Sequence, residues 1–492
     1  MFSPFINNNQ ERKLRQLTQR MYKTTLQTMY KDVYAFNRLI LSPLENEDLT
    51  GWEMKPQMPH PLLFELGHVT LFFEHHVLRH VYQKETSLLN NHQGTPEMFD
   101  SLHNLPEERR DSNMINYTKQ LRYYKKVHQH LVNFLSTYQE EKLTPFHSYL
   151  YMLGYLHNIM HLEVYLFLLH LLEVPCPYQV DTSILEFHHT VRSPPPYIHL
   201  YNPWIPIQGG TFSLGLNRTD RVVVWDNEMP KHKTSVHNFE CQKQPTLNHE
   251  YVSFVEFGGY DKREYWSAKG WKWRVETHRR SHPYFWKYNE TEKLWYRRHF
   301  NEWNPLHPNE PVVHVSYYEA EAYATYRSAR LPTEDEYVYL TTNGGATEYP
   351  WGNHGELCSL YSNMDFTYND VVPVDLYDEN SANQWGVTNL FGNCWYWTST
   401  PMYPFDKFEI DPIYDTYSYP FFYFRMILKG GSWATNHHLV HSQYRNAQEK
   451  KCIHHFTGIR LVRDRKPDIK LPLTLNNHSN PTSSQAPLGT KP

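Results

Sequence analysis

The chain has 492 residues, 48 basic against 52 acidic, and a formal net charge of -4. That balance excludes a global field favouring nucleic acid or an anionic membrane, and the length exceeds the roughly 250 residues that one hydrophobic core usually supports, so two domains are expected. Aromatic residues reach 16%, with 38 Tyr and 14 Trp, which excludes a disordered chain and fits a rigid, pocket-rich globule.

Five cysteines, Cys176, Cys241, Cys358, Cys394 and Cys452, are scattered without a CxxC pair. No disulfide framework or thiolate zinc site follows from that spacing. The opening MFSPFINNNQERKLRQ has no apolar run behind a basic start, so no secretory signal is read and a cytoplasmic protein is expected. The most apolar segment, Tyr149 to Leu172, has membrane-spanning length but is interrupted by Asn158, Glu163 and three histidines. It reads as a buried bundle helix, with no membrane partner.

In chain order, Leu14, Leu17, Met21, Met29, Val33, Phe36 and Ile40 recur mostly at three- and four-residue steps and stop at Ser42-Pro43, predicting one long amphipathic helix. Further helices are read over about 61–82, 114–135 and 146–172. Four helices with no strand signal between them predict a bundle over residues 10–175. Pro175, Pro177 and SPPPY at 193–197 mark a linker at 176–200. Residues 201–465 change texture to short strands, Gly/Asn/Pro turns and many tryptophans, as in IPIQGGTFSLG, ARLPTEDEY and GNCWYWTSTPMYPF, with short helices such as 316–329. The fold class is therefore α+β, a four-helix bundle followed by a compact α/β domain. Residues 466–492, rich in Pro, Ser and Asn, read as a disordered tail.

The stretch LHNIMHLE at 156–163 puts His157 and His161 four apart on one helical face, near enough for both rings to reach one ion. The zinc-protease pattern HExxH is not met, because Asn158 stands at the Glu position. HPLLFELGHVTLFFEHH on the second helix offers His60, His68, His75 and His76, and His68 lies in an apolar setting. One His from that helix with the HxxxH of the fourth would cap a metal on one face, leaving open positions for substrate and oxygen. Imidazole suits Fe, Zn, Cu and Ni alike, so the metal stays open at this point. Glu163 reads either as the acceptor that fixes a ligand tautomer or as a polar residue at the bundle rim.

These motifs carry a family resemblance. The N-terminal half resembles DinB-like bundles, and the C-terminal half, through WDNEMPKHKTSVHNF, GGYDKREYWSAKGWKWR, PVVHVSYYEAEAY, RLPTEDEY, NLFGNCWYWTSTPMYPF, LKGGSWAT and YRNAQEKKCIHHFTGIRL, resembles the formylglycine-generating-enzyme-like, C-type-lectin-like domain (sulfatase-modifying factor domain). The fusion, over roughly residues 10–465, is similar to the non-haem iron sulfoxide synthases of ergothioneine, ovothiol and selenoneine biosynthesis. The resemblance implies ferrous iron (Fe2+) at the domain interface, with His68, His157 and His161 as ligands and Tyr403 as the catalytic tyrosine. It also implies small-molecule partners: dioxygen, a cysteine-type thiol or selenol, and an imidazole amino acid, histidine or hercynine, joined by a carbon-sulfur bond with oxidation to the sulfoxide.

The chain departs from that pattern at named positions. Many ergothioneine-type relatives carry Gln before the second HxxxH ligand, where it meets the imidazole substrate; here that residue is Met160. Gln448 and Cys452 stand where relatives using γ-glutamylcysteine carry Asp and Arg, and Cys cannot hold a carboxylate bidentately as Arg does. Cysteine or another small thiol or selenol is then the expected donor. Asn446 keeps the RN match and is expected to orient the imidazole substrate. Three other readings stand beside this one: a formylglycine-type peptide-modifying enzyme, for which a redox cysteine pair is wanting, a DinB-like zinc- or nickel-dependent thiol transferase or thiol dioxygenase-like enzyme, and a non-catalytic relic.

Overall fold

A computed structural model describes residues 6–42, 58, 61–83, 88, 117–178 and 199–465. Most of the expected linker, the tail at 466–492, His60 and the start of the third helix at Met114 lie outside the described residues.

The first expected helix is two. α1 spans Asn8–Leu14 and α2 spans Lys23–Leu41. The stretch between them is extended because tertiary hydrogen bonds take its backbone: Met21 N donates to Ser148 Oγ at 2.8 Å, Leu143 N to Met21 O at 2.9 Å, and Lys23 N to Glu141 O at 2.8 Å. Leu17 and Met21 keep the apolar spacing but serve a turn. α3 runs Leu62–Phe72, continues as a π-helical segment Phe73–Leu78 and ends as Arg79–Tyr82. α4 spans Tyr117–Thr137 and α5 spans Pro145–Leu172. α5 opens with Thr144 accepting from His147 N and Pro145 in the first turn, and closes at Glu173 in the left-handed region, a start and stop that need no partner helix. The four helices α2 to α5 bury one continuous core, including Tyr30, Leu66, Val127, Leu131, Tyr149 and Leu166. α5 is apolar all round and long enough to cross a membrane, yet most of it is buried inside the protein.

The C-terminal half holds four small sheets. β1 (Trp204–Ile207), β4 (Phe239–Gln242) and β12 (Val462–Asp464) pair in the order β1-β4-β12, antiparallel, so the two ends of this half close on one another. β2 (Gly210–Leu214) pairs with β3 (His232–Val236), and β5 (Trp286–Asn289), β6 (Leu294–His299) and β7 (Glu302–Pro305) form a meander. The sheet nearest the bundle runs β10-β9-β8-β11, from Asn446–Gln448, Met426–Lys429, Trp395–Pro401 and Thr457–Gly458. Short helices, notably Tyr317–Tyr326 and Glu334–Thr341, start on Ser316 and Thr333 capping boxes, the S/T-x-x-E pattern written in the sequence.

Gly154 lets α3 and α5 approach: a Cβ there would meet Phe73 Cε1 and Val77 Cγ2, each at 2.9 Å. A Gly154→Val substitution is therefore expected to overpack this contact and lower stability by about 2 kcal/mol, read as a shifted midpoint in guanidinium unfolding.

Candidate metal centre

α5 presents His157 and His161 on one face, and α3 sets His68 opposite. The ring centroids lie 5.1 Å (His68 to His157), 5.0 Å (His68 to His161) and 4.5 Å (His157 to His161) apart, and one potential ligand atom of each lies within 4.8 Å of the others. His75 and His76 belong to the π-helical segment and stay out of the cluster; His76 packs on Phe72 and Tyr414.

Two observations fit this cluster to a cation. His157 is 1% exposed and neither ring nitrogen has a hydrogen-bond partner, an arrangement that costs desolvation unless another ligand takes a lone pair. His161 Nδ1 meets Glu65 Oε2, a side chain itself buried, so the ring is held with Nε2 toward the cluster. Burial, then the neighbouring His161 and His68, holds the His157 imidazole well below its usual pKa. It therefore stays neutral and available as a lone-pair donor across ordinary pH. Phe72 stacks on its ring at 3.7 Å and shuts water from that side.

His68 and His161 open into a cavity of about 890 Å³, within the range typical of small-molecule sites. Both halves build it. The bundle gives Phe64, Glu65, Met160, Glu163, Val164 and Phe167; the C-terminal half gives Trp395, Tyr414, Tyr417, Arg425, Asn446 and Gln448. Asn446 Oδ1 accepts from Ala447 N at 2.8 Å, and Gln448 Nε2 lies 2.8 Å from His455 Nε2. Cys452 is buried with Sγ 3.5 Å from His454 Nε2.

Two expectations are corrected here. Glu163 orients no histidine of the cluster: it turns toward the C-terminal half and accepts from Trp395 Nε1 (2.8 Å), Ser432 Oγ (2.7 Å) and Thr435 Oγ1 (2.9 Å). Glu65 holds the place expected of it, and its signal was present in FELGH, three residues before His68 on the same helical face. Tyr403 lies outside the cavity. β8 ends at Pro401, and in the stretch that follows Met402 is buried while Tyr403 is 38% exposed, with its carbonyl accepting from Arg445 Nη1. Five tyrosines line the cavity, Tyr318, Tyr414, Tyr417, Tyr423 and Tyr444; Tyr414 meets His157 edge-on at 5.6 Å, and Tyr417 lies 5.4 Å from Tyr414. Nothing in spacing or composition marks them among 38 tyrosines.

Residues 199–465 match the sulfatase-modifying factor enzyme 1-like domain, more than half of the chain. The chain belongs to that family. It is 35% identical over 263 residues to the hercynine oxygenase of Mycolicibacterium thermoresistibile (51% of this chain, 57% of that protein) and 34% identical over 259 residues to that of Mycobacterium tuberculosis (51% and 59%). It is also 27% identical over 217 residues to the formylglycine-generating enzyme of Mus musculus (40% and 57%). The chain thus spans under two thirds of the length of these relatives. All five cysteines are free.

Replacing Glu65 by Gln keeps the shape but weakens its hold on His161. Affinity for a divalent cation is expected to fall about 10- to 100-fold, and competitive chelator titration of metal-loaded protein measures it.

Proposed function

We propose that this chain is a non-haem iron oxidoreductase of the sulfoxide-synthase type, a DinB-like bundle at about 10–175 fused to the sulfatase-modifying factor domain at about 201–465. It joins a cysteine-type thiol, or a related selenol, to the imidazole of hercynine or histidine and oxidises the sulfur, in thiohistidine biosynthesis of the ergothioneine kind. The observation that carries this reading is the three-histidine cluster opening into a cavity whose far wall is the domain shared with the hercynine oxygenases. Those relatives favour hercynine as the imidazole. The balance is one thiol plus one imidazole plus dioxygen, giving the sulfoxide and water: the S–H and ring C–H hydrogens leave with one oxygen atom, and the other oxygen stays on sulfur.

His68, His157 and His161 would hold the ion as neutral ligands. Ferrous iron bound there supplies dioxygen chemistry and an uncompensated positive charge that favours a thiolate beside it. Glu65 keeps His161 in the right tautomer. Phe72 and Phe64 keep the ring faces dry, which strengthens every charge interaction within. Tyr414, which lines the cavity and meets His157 edge-on, takes the role expected of Tyr403, as the phenol that gives a proton or hydrogen atom from its Oη. Tyr417 backs it; burial and the neighbouring Tyr444 push the Tyr417 phenol up, so it stays protonated. Asn446 offers an amide to the imidazole substrate, and Met160 gives that substrate an apolar wall where relatives offer an amide. For the donor's carboxylate, Arg425 stands against Phe421 at 3.7 Å and Lys450 over Tyr317 at 4.8 Å, both on the cavity wall.

Ferrous-loaded protein given oxygen, a thiol and hercynine or histidine is expected to release a product of mass thiol plus imidazole plus dioxygen minus water; no such adduct from any pairing, with metal bound, overturns the reading. Tyr414→Phe is expected to keep its metal while the sulfoxide yield drops about 100-fold in favour of simple thiol oxidation. Tyr403→Phe stays within about twofold of the parent. Quantifying both products by mass spectrometry checks the pair, and a parental sulfoxide yield from Tyr414→Phe removes that phenol from the mechanism.

A further inference from the structure

Tyr414 lies in a loop with no regular structure, between Asp411 and Ser418, yet it stands against His157. The loop is held from one side chain. Asp411 is 5% exposed, and its Oδ1 accepts from Ile413 N at 2.9 Å and Tyr414 N at 3.0 Å, an Asx-type turn that fixes the backbone on which Tyr414 sits. The same Oδ1 accepts from Tyr149 Oη at 2.7 Å, and Oδ2 accepts from Arg218 Nη1 at 3.3 Å. Tyr149 is on α5, about two turns before His157. Burial first, and then the Asp411 carboxylate, push its phenol well up, so it remains a donor.

The surroundings hold the turn at both ends. Asp411 N donates to Asp226 Oδ2 at 3.5 Å, Ser418 Oγ donates to Asp226 Oδ1, and Gln10 Nε2 of α1 donates to Pro412 O at 2.6 Å. Tyr417 within the loop stacks on Trp225 at 4.2 Å. One helix therefore carries the anchor of the turn, Tyr149, and the imidazole that the turn's tyrosine meets, His157.

We infer that Asp411 is a positioning residue for the reaction: by tying the 411–418 turn to α5 through Tyr149, it holds the Tyr414 phenol in reach of the three-histidine site. This rests on the proposed role of Tyr414. Displacing a reacting group by about 1 Å costs on the order of 100-fold in rate, so a loop that only loosely held Tyr414 would leave thiol oxidation to compete with carbon-sulfur bond formation.

The test compares Asp411→Ala, Asp411→Asn, Tyr149→Phe and Tyr414→Phe in the full-length, ferrous-loaded protein. Three quantities are read: the fraction of consumed thiol recovered as sulfoxide, bound metal, and backbone deuterium uptake across 411–418. Asp411→Ala is expected to lower the sulfoxide fraction about tenfold or more and to open 413–414 to exchange, with metal content unchanged. Asp411→Asn keeps an amide oxygen for Tyr149 and the two backbone donors, and is expected to recover most of the fraction. Tyr149→Phe removes a single hydrogen bond without emptying the turn and is expected to fall between the two. A parental sulfoxide fraction in Asp411→Ala and Tyr149→Phe, while Tyr414→Phe loses it, overturns the inference about Asp411 alone. A parental fraction in Tyr414→Phe overturns the role of the phenol itself, and the inference with it.

Discussion

A carboxylate buried between the two halves, Glu163, is the constraint on which the rest of the structure depends. It sits on α5 just beyond His161 and accepts from three side chains of the C-terminal half, Trp395, Ser432 and Thr435. Burial raises its pKa, and those same three hydrogen bonds oppose the rise. A buried carboxylate lacking them would be costly, so α5 has one favourable orientation against the β8–β9 sheet. Two further attachments fix the helix along its length: Tyr149 to Asp411 near the start, and Arg298 Nη1 to the His170 carbonyl at 2.9 Å near the end. The cavity is the space left between these three points.

The histidine cluster depends on that docking and not on the bundle alone. His157 is dry because Phe72 stacks on one face of its ring and Tyr414, from the other half, meets it edge-on. Burial holds the imidazole neutral, leaving both nitrogens unpartnered. A buried donor set without partners is a poor packing solution and a good ligand set. The π-helical segment that follows His68 and Phe72 in α3 has a related effect. It re-aims the residues beyond it, so Glu74 turns away to accept from Tyr123 Oη at 2.5 Å, while the face carrying Glu65, His68 and Phe72 stays toward α5.

How much of this was legible in the sequence varies with the range of the interaction. The HxxxH pair, α5 and the helical segments of the bundle follow from local periodicity, and the short caps at Ser316 and Thr333 from local motifs. The break between α1 and α2 was not legible, because backbone hydrogen bonds to residues more than a hundred positions away overrode a good apolar spacing. Glu163 was noticed as a polar residue in an apolar helix, but its partners sit in the GNCWYWTST and KGGSWAT segments, and nothing local pairs it with them. Tyr403 was favoured by its nearness in sequence to a motif. The chain leaves β8 at Pro401 with Tyr403 exposed, while a tyrosine eleven residues later folds back against His157.

The departures at the donor end of the cavity follow from the same packing. Where an acid and an arginine are expected, this chain pairs Gln448 with His455 and Cys452 with His454. Burial holds His455 well below its usual pKa and pushes the Cys452 thiol up to about 11, which favours the neutral form of each. Phe167 of α5 lies against both imidazoles, at 4.9 and 4.8 Å, which leaves this wall poorly solvated and unsuited to an ion pair. Positive charge lies close by, just outside the paired strands β9 and β10, on Arg425 stacked against Phe421 and Lys450 against Tyr317. Aromatic faces hold those cations, and both side chains stay partly exposed. Positive charge at this end of the cavity is therefore carried by side chains laid on aromatic rings, next to the buried pairs and not within them.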